Sequence, residues 1–245
     1  MDKMIYTAMT GANAAQYRQQ VLANNLANVS TAGFRAELST FRAVPVRGDG
    51  ASTRVFALEA TPGHSDLPGA ITSTGNKLDV AARGNAYFAV QGLDGTEAYT
   101  RAGALEVNQD GTLVSAAGLP MLGDGGPIVI PAGANVDIGS DGTITASIGA
   151  QPPQNVGRLK MVVPDADNPL RRSEDGLFRG PQGDPLPASD VARLQDGALE
   201  GSNVNPMEAM IGMIAVARQF ETQMRMLQNG ETNDKTASQL LSMNG

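Results

Sequence analysis

The run Val21-Leu22-Ala23-Asn24-Asn25-Leu26-Ala27-Asn28-Val29-Ser30-Thr31-Ala32-Gly33-Phe34 begins as a helix and ends as something else. Apolar or small residues fall at Ile5, Ala8, Ala12 and Ala15 upstream of it, and at Leu22, Leu26 and Val29 within it. This three-four spacing, interrupted only at Gln19, is a heptad-like stripe along one helix face. Ser30 and Thr31 then compete for backbone hydrogen bonds and Gly33 offers a permissive terminus, so the helix is expected to end within residues 28–33. The Ala-rich seam lets another helix approach closely but buries little area. Alone in water such a helix is marginal, and it needs a partner.

A second helix is written at the far end of the chain. Asn205-Pro206-Met207-Glu208 reads as an N-cap, a Pro at the first helical position and a Glu three residues after the cap. Beyond it Met210, Ile214 and Ala217 form one seam, while Met213, Val216, Phe220 and Leu227 form another. That apolar arc is wide enough for two neighbours. Asn229-Gly230 is a candidate break, and the stretch from Lys235 to Met243 ends in an apolar cluster expected to be exposed.

Between these ends the periodicity changes from helical to twofold. Leu78-Asp79-Val80 and Ala86-Tyr87-Phe88-Ala89-Val90 alternate, and Asp94-Gly95 turns the chain into Ala98-Tyr99-Thr100-Arg101 as a hairpin. Short strands follow at Leu105-Glu106-Val107, Leu113-Val114, Ile128-Val129-Ile130, Val136-Asp137-Ile138, Thr143-Ile144-Thr145 and Leu159-Lys160-Met161-Val162-Val163. The reading is α+β: a discontinuous, coiled-coil-like helical domain made by both termini, and a central all-β domain. The boundaries expected are residues 1–34 with 205–245 for the helical domain, 76–195 for the β domain, and extended linkers at 35–75 and 196–204.

Composition removes most chemistry. With no Cys there is no disulfide, thiol catalysis or thiolate metal site. The single His64 lies in a Pro/Gly-rich stretch and is expected to be a solvated loop residue. A net charge of −7 lacks the positive field that nucleic acid requires, although residues 1–42 carry +2 and the rest of the chain −9. Asp-Gly occurs at Asp49, Asp94, Asp110, Asp124, Asp141, Asp175 and Asp196, but without calcium-loop spacing, so hairpin turns explain the pairs. Gly123-Asp124-Gly125-Gly126-Pro127 lacks the Lys-Ser/Thr end of a phosphate cradle. Asp165 with Asp167, and Glu174 with Asp175, are nominal carboxylate pairs for glycoside hydrolysis, yet sequence neighbours rarely flank one bond and Trp is absent. No catalytic, cofactor or metal residue is therefore expected. No window reaches the roughly 18 apolar residues of a membrane span. Met1-Asp2-Lys3-Met4-Ile5-Tyr6-Thr7 lacks the apolar core of a secretory signal, which leaves cytoplasmic residence or a dedicated exporter that needs no cleaved signal.

The Asn-rich helix end followed by Ser30-Thr31-Ala32-Gly33-Phe34 resembles the N-terminal signature of the bacterial flagellar rod and hook axial proteins. The similarity continues through Thr74-Gly75-Asn76-Lys77-Leu78-Asp79-Val80, Gly84-Asn85-Ala86-Tyr87-Phe88, Tyr99-Thr100-Arg101-Ala102-Gly103, Asp110-Gly111-Thr112-Leu113-Val114 and Gly201-Ser202-Asn203-Val204-Asn205-Pro206. The opening residues, with Phe34-Arg35-Ala36-Glu37-Leu38 and Phe41-Arg42-Ala43-Val44-Pro45-Val46, resemble the proximal-rod members. One departure is Ala217-Arg218-Gln219-Phe220-Glu221, which places Ala where that family usually has Gln.

The resemblance implies a non-enzymatic subunit whose terminal helices pair into an axial domain and whose β domain faces outward. Subunits would stack helically in the periplasmic rod of the flagellar basal body, against copies of themselves and other rod proteins, without nucleic acid or membrane insertion. Interface candidates are Ile5, Leu22, Asn24, Asn25, Leu26, Asn28, Ser30, Thr31, Gly33 and Phe34 at one end, and Asn203, Asn205, Met210, Ile214, Ala217, Phe220 and Leu227 at the other. Phe34 and Leu38 resemble the Phe-plus-aliphatic pattern by which related substrates engage the flagellar type III export apparatus. A secreted carbohydrate-binding or peptidoglycan-cleaving β protein is the alternative.

Overall fold

Asn205 starts the C-terminal helix as its sequence predicts: its Oδ1 accepts the amides of Met207 at 3.1 Å and Glu208 at 3.3 Å. The computed structural model describes residues 2–45, 55–59, 63–149, 151–165, 167–173 and 175–242. The chain divides into two compact units, one of residues 1–27, 37–64 and 204–245, the other of residues 28–36 and 65–203.

The first unit is built on α1 (Asp2–Ala27) and α2 (Pro206–Ser242). They run antiparallel, because a Cβ at Gly11 would meet Gln223 while one at Gly212 would meet Leu22. Ala8, Ala12, Ala15 and Val21 are buried on α1, and Ala209 and Val216 on α2. Contrary to expectation Asn229-Gly230 does not break α2, which continues to Ser242. Gly230 is buried, and a single glycine costs only about 1 kcal/mol in a helix of 37 residues, so the helix runs through it. The side chains of the expected apolar cluster near residue 243 lie outside the described residues.

Residues 35–75, expected as a linker, instead carry paired strands. Phe41–Pro45 forms an antiparallel hairpin with Val55–Glu59, and Glu37–Leu38 pairs with Gly63–His64. His64 is thus half-buried in a short ladder and not a solvated loop residue. Tyr17 of α1 meets the Phe41 ring edge-on at 6.2 Å, so the hairpin is seated on the helix. The segment 196–204 also contains a strand, Ala198–Glu200, which pairs with Ile71–Ser73.

In the second unit Tyr87–Gln91 and Glu97–Thr100 form the expected hairpin, with Gly95 at φ +79° in its turn. It sits inside a five-stranded antiparallel sheet ordered Met161–Val162, Tyr87–Gln91, Glu97–Thr100, Phe178–Arg179, Arg171–Arg172. Alternation places Phe88 and Val90 in the main core with Leu113, Met121 and Ile144, and Tyr87 and Ala89 in a second cluster with Tyr99 and Phe178. Both sheet faces are therefore covered. Burial raises the phenol pKa of Tyr87.

Two expected strands differ. Ile128-Val129-Ile130 forms an isolated bridge from Val129 to Thr112 in place of a strand, while Ile128 and Ile130 are buried and bond through the backbone to Leu113, Met121 and Gly111. The 159–163 strand is shorter than expected: Met161–Val162 joins the five-stranded sheet, and a strand the sequence reading did not expect, Gln154–Arg158, precedes it in a sheet with Asn135–Ile138 and Thr143–Ser147. Leu159 is buried in the main core and pairs through a bridge to Gly123, so the apolar run extends beyond the ladder.

Candidate functional site

The carboxylates that suggest chemistry are occupied by turns. The Thr96 hydroxyl and amide donate to Asp94 at 2.8 and 3.0 Å, and those of Thr143 do the same to Asp141, holding both carboxyls below the ordinary range. Asp165 accepts the amides of Asp167 and Asn168 in an exposed turn, and Asp175 pairs with Arg179. Asp49 and Glu174 lie outside the described residues. Among the described residues no three His, Cys, Asp or Glu side chains gather as a metal site, and no helix is long and apolar enough to cross a membrane.

The Asn-rich signature is instead a set of backbone clamps. Asn25, expected at a subunit interface, is buried, and its amide grips Glu37 twice: Nδ2 donates to the Glu37 carbonyl at 2.9 Å and Oδ1 accepts the Glu37 amide at 2.8 Å. Asn28 accepts the Thr31 hydroxyl at 3.1 Å at the helix end, leaving Ser30 and Thr31 exposed and Asn24 half-buried. Gly33, also an interface candidate, is buried; its amide donates to the Glu200 carbonyl at 2.7 Å. Its φ of +71° favours glycine, and a Cβ there would lie 2.3 Å from the Arg101 carbonyl carbon. Phe34 is buried with the Arg172 guanidinium 4.5 Å from its ring centre. Asn203 bridges two segments: Oδ1 accepts the Ala36 amide at 2.7 Å, and Nδ2 donates to the carbonyls of Ser65 at 3.2 Å and Leu67 at 2.8 Å. Asn25, Gly33, Phe34 and Asn203 thus act within the chain, because each is buried or hydrogen-bonded by its own neighbours.

Sequence reading missed the most buried charges. Arg35, Arg101 and Glu200 are almost wholly inaccessible. Glu200 Oε2 accepts Arg101 Nε at 2.8 Å and a second bond from Nη2, while Oε1 accepts the Gly69 amide at 2.9 Å and faces Arg35 Nη2 at 3.0 Å. Arg101 also donates to the carbonyls of Ala82, Gly84 and Ala86, and Arg35 to those of Asp66 and Leu67. Burial lowers the Arg101 pKa, opposed by the charge of Glu200. The signal was present in Gly33-Phe34-Arg35 and Tyr99-Thr100-Arg101-Ala102-Gly103, where a lone cation follows residues that the core claims.

The two seams of α2 have different fates. Val216 is buried, and Met213, Phe220 and Leu227 are half-buried, as are Ile5, Leu22 and Leu26 on α1. Ala217 is half-buried, but Met210 is 47% and Ile214 57% exposed, flanked by Met207 at 66% and Ile211 at 64%. This apolar strip covers the first turns of α2 and has no polar group to do chemistry.

The matches follow the same three regions. Family models described as "Flagella basal body rod protein", "Flagellar hook protein FlgE/F/G D1 domain" and "Flagellar basal body rod FlgEFG protein C-terminal" match residues 5–35, 81–146 and 195–240. The flagellar basal-body rod protein FlgF of Salmonella typhimurium is 45% identical over 252 residues, covering 99% of this chain and 100% of its own length. The chain belongs to the FlgF-like flagellar basal-body rod proteins. The FlgF of Escherichia coli is 44% identical over 99% of this chain and 100% of its own, and that of Caulobacter vibrioides 32% over 98% of each. The rod protein is accordingly a structural component of the flagellar basal body that associates with other rod proteins. The matches give the carbohydrate alternative no support.

Proposed function

We propose that this rod protein polymerises with copies of itself through its terminal helices, which form a coiled-coil-like axial domain, while the β unit faces outward. The assembled shaft lies in the periplasm, carries rotation without enzymatic activity, and takes in subunits delivered by the flagellar type III export apparatus. The strip Met207, Met210, Ile211 and Ile214 carries the reading: four large apolar side chains face solvent on a helix whose opposite seam is already covered. Covering such side chains stabilises by about 1–2 kcal/mol each, so the strip favours association over solvation. Leu22, Leu26, Phe220 and Leu227 serve by holding α1 and α2 together. Mobility is the test in cells, and rod completion the direct readout. Met210→Glu with Ile214→Glu is expected to leave monomer helicity unchanged and to stop rod assembly; a complete rod in the double variant refutes the assignment.

A further inference from the structure

The chain passes between its two units four times, at 27/28, 36/37, 64/65 and 203/204. On the β side these passages lead into segments that bond to one another before they bond to the sheet. Gly33 donates to Glu200, Asn203 to Phe34, Ser65 to Ala36 and Gly201 to Ala70, all through backbone groups. Two side chains connect the segments further. Asn203 spans residues 36, 65 and 67, and the Glu200 carboxylate joins Gly69, Arg35 and Arg101 at once. Arg101 in turn holds the carbonyls of Ala82, Gly84 and Ala86, at one end of the sheet hairpin.

The charge pattern makes this arrangement cooperative. Glu200 is the shared partner of two buried guanidinium groups, and Arg35 Nε is buried without a hydrogen-bond partner among the described residues. Freeing residues 200–203 would leave two buried guanidinium groups without their carboxylate, which is far costlier than losing a surface pair, and freeing residues 65–70 would take the Asp66 and Leu67 carbonyls from Arg35 and the Gly69 amide from Glu200. Gly69 tightens the constraint, since a Cβ there would lie 2.0 Å from the Gly201 carbonyl oxygen, so the two segments touch backbone to backbone.

We propose that Glu200, Arg35, Arg101 and Asn203 form a clasp that fixes residues 33–36, 65–70 and 200–203 to the β unit as one cooperative block. Every passage then leaves that unit from a common anchor and not from an independent hinge. In a subunit under torsion, such an anchor moves as one body, whereas separate hinges would yield one at a time. This goes beyond the assembly reading and does not depend on it.

Hydrogen exchange of the isolated full chain tests the clasp. In Glu200→Gln, the amides of Gly33, Ala36, Ser65, Gly69, Gly201 and Asn203 are expected to exchange faster together, by about 100-fold or more, because a buried pair has lost its charge. Ala89 and Gln91, whose amides bond to Lys160 and Pro120, are expected to keep their protection. Acceleration confined to Gly69, or equal acceleration of the sheet amides, overturns the proposal. Should Glu200→Gln not fold, Asn203→Ala serves, because its side chain bonds to neither Gly33 nor Gly69. Faster exchange at those two amides, by about tenfold, supports the block, and unchanged exchange there overturns it.

Discussion

Asn25 holds Glu37 by both of its backbone hydrogen-bonding groups, in the way a neighbouring strand would. The last buried turn of α1 thereby sets where the first short strand begins, which a helix-terminating Asn would not do. Asn25→Ala removes both of these part-buried hydrogen bonds and is expected to destabilise the helical unit by about 1–3 kcal/mol. Urea unfolding followed by helical circular dichroism measures this. A wild-type midpoint would show that the clamp contributes nothing and return Asn25 to the subunit interface. Asn28 accepts the Thr31 hydroxyl at an exposed helix end, so Asn28→Ala should be the milder change in the same assay.

At the scale of the element, α1 and α2 meet through small residues. Gly212 admits Leu22: a Cβ at that position would lie 3.2 Å from Leu22 Cδ1, tight but relieved by a small rotation of the leucine. Two opposing terms decide the Ala variant, a gain of about 1 kcal/mol in helix propensity and the loss from this close contact. Gly212→Ala should therefore change thermal stability little. Gly212→Leu adds further carbons where Leu22 already sits, and overpacking is expected to cost about 1–3 kcal/mol. Thermal unfolding of the two variants gives the comparison; equal melting temperatures would mean that the helices do not approach at this point.

For the whole molecule, the proposed type III export would make demands on residues 1–45 opposite to those of folding. Phe34 is buried against Arg172 in the folded chain, whereas Leu38 is 47% exposed, so a Phe-plus-aliphatic export pattern is accessible only before folding. Fusing residues 1–45 to an unfolded reporter is expected to give flagellar-dependent secretion that falls in Phe34→Ala. Secretion indifferent to Phe34 removes the motif, and absent secretion removes this arm as a sufficient signal. Zero Cys fits such a route, since no disulfide has to open before the chain is threaded.

Sequence by itself determined the helical ends, the hairpin at Asp94-Gly95 and the absence of thiol chemistry, because these depend on local periodicity, caps and composition. It also carried the family, through Asn-rich and Gly-Phe motifs spread over most of the chain. It could not separate the roles of those motifs. Whether Asn25 meets a neighbouring subunit or its own Glu37, and whether Arg35 is solvated or buried beside Glu200, depends on residues far away in the chain. Likewise a supposed linker became ladders. Only the tertiary structure decided these points, since a buried polar group must find its partner in space and sequence distance places no limit on where that partner lies.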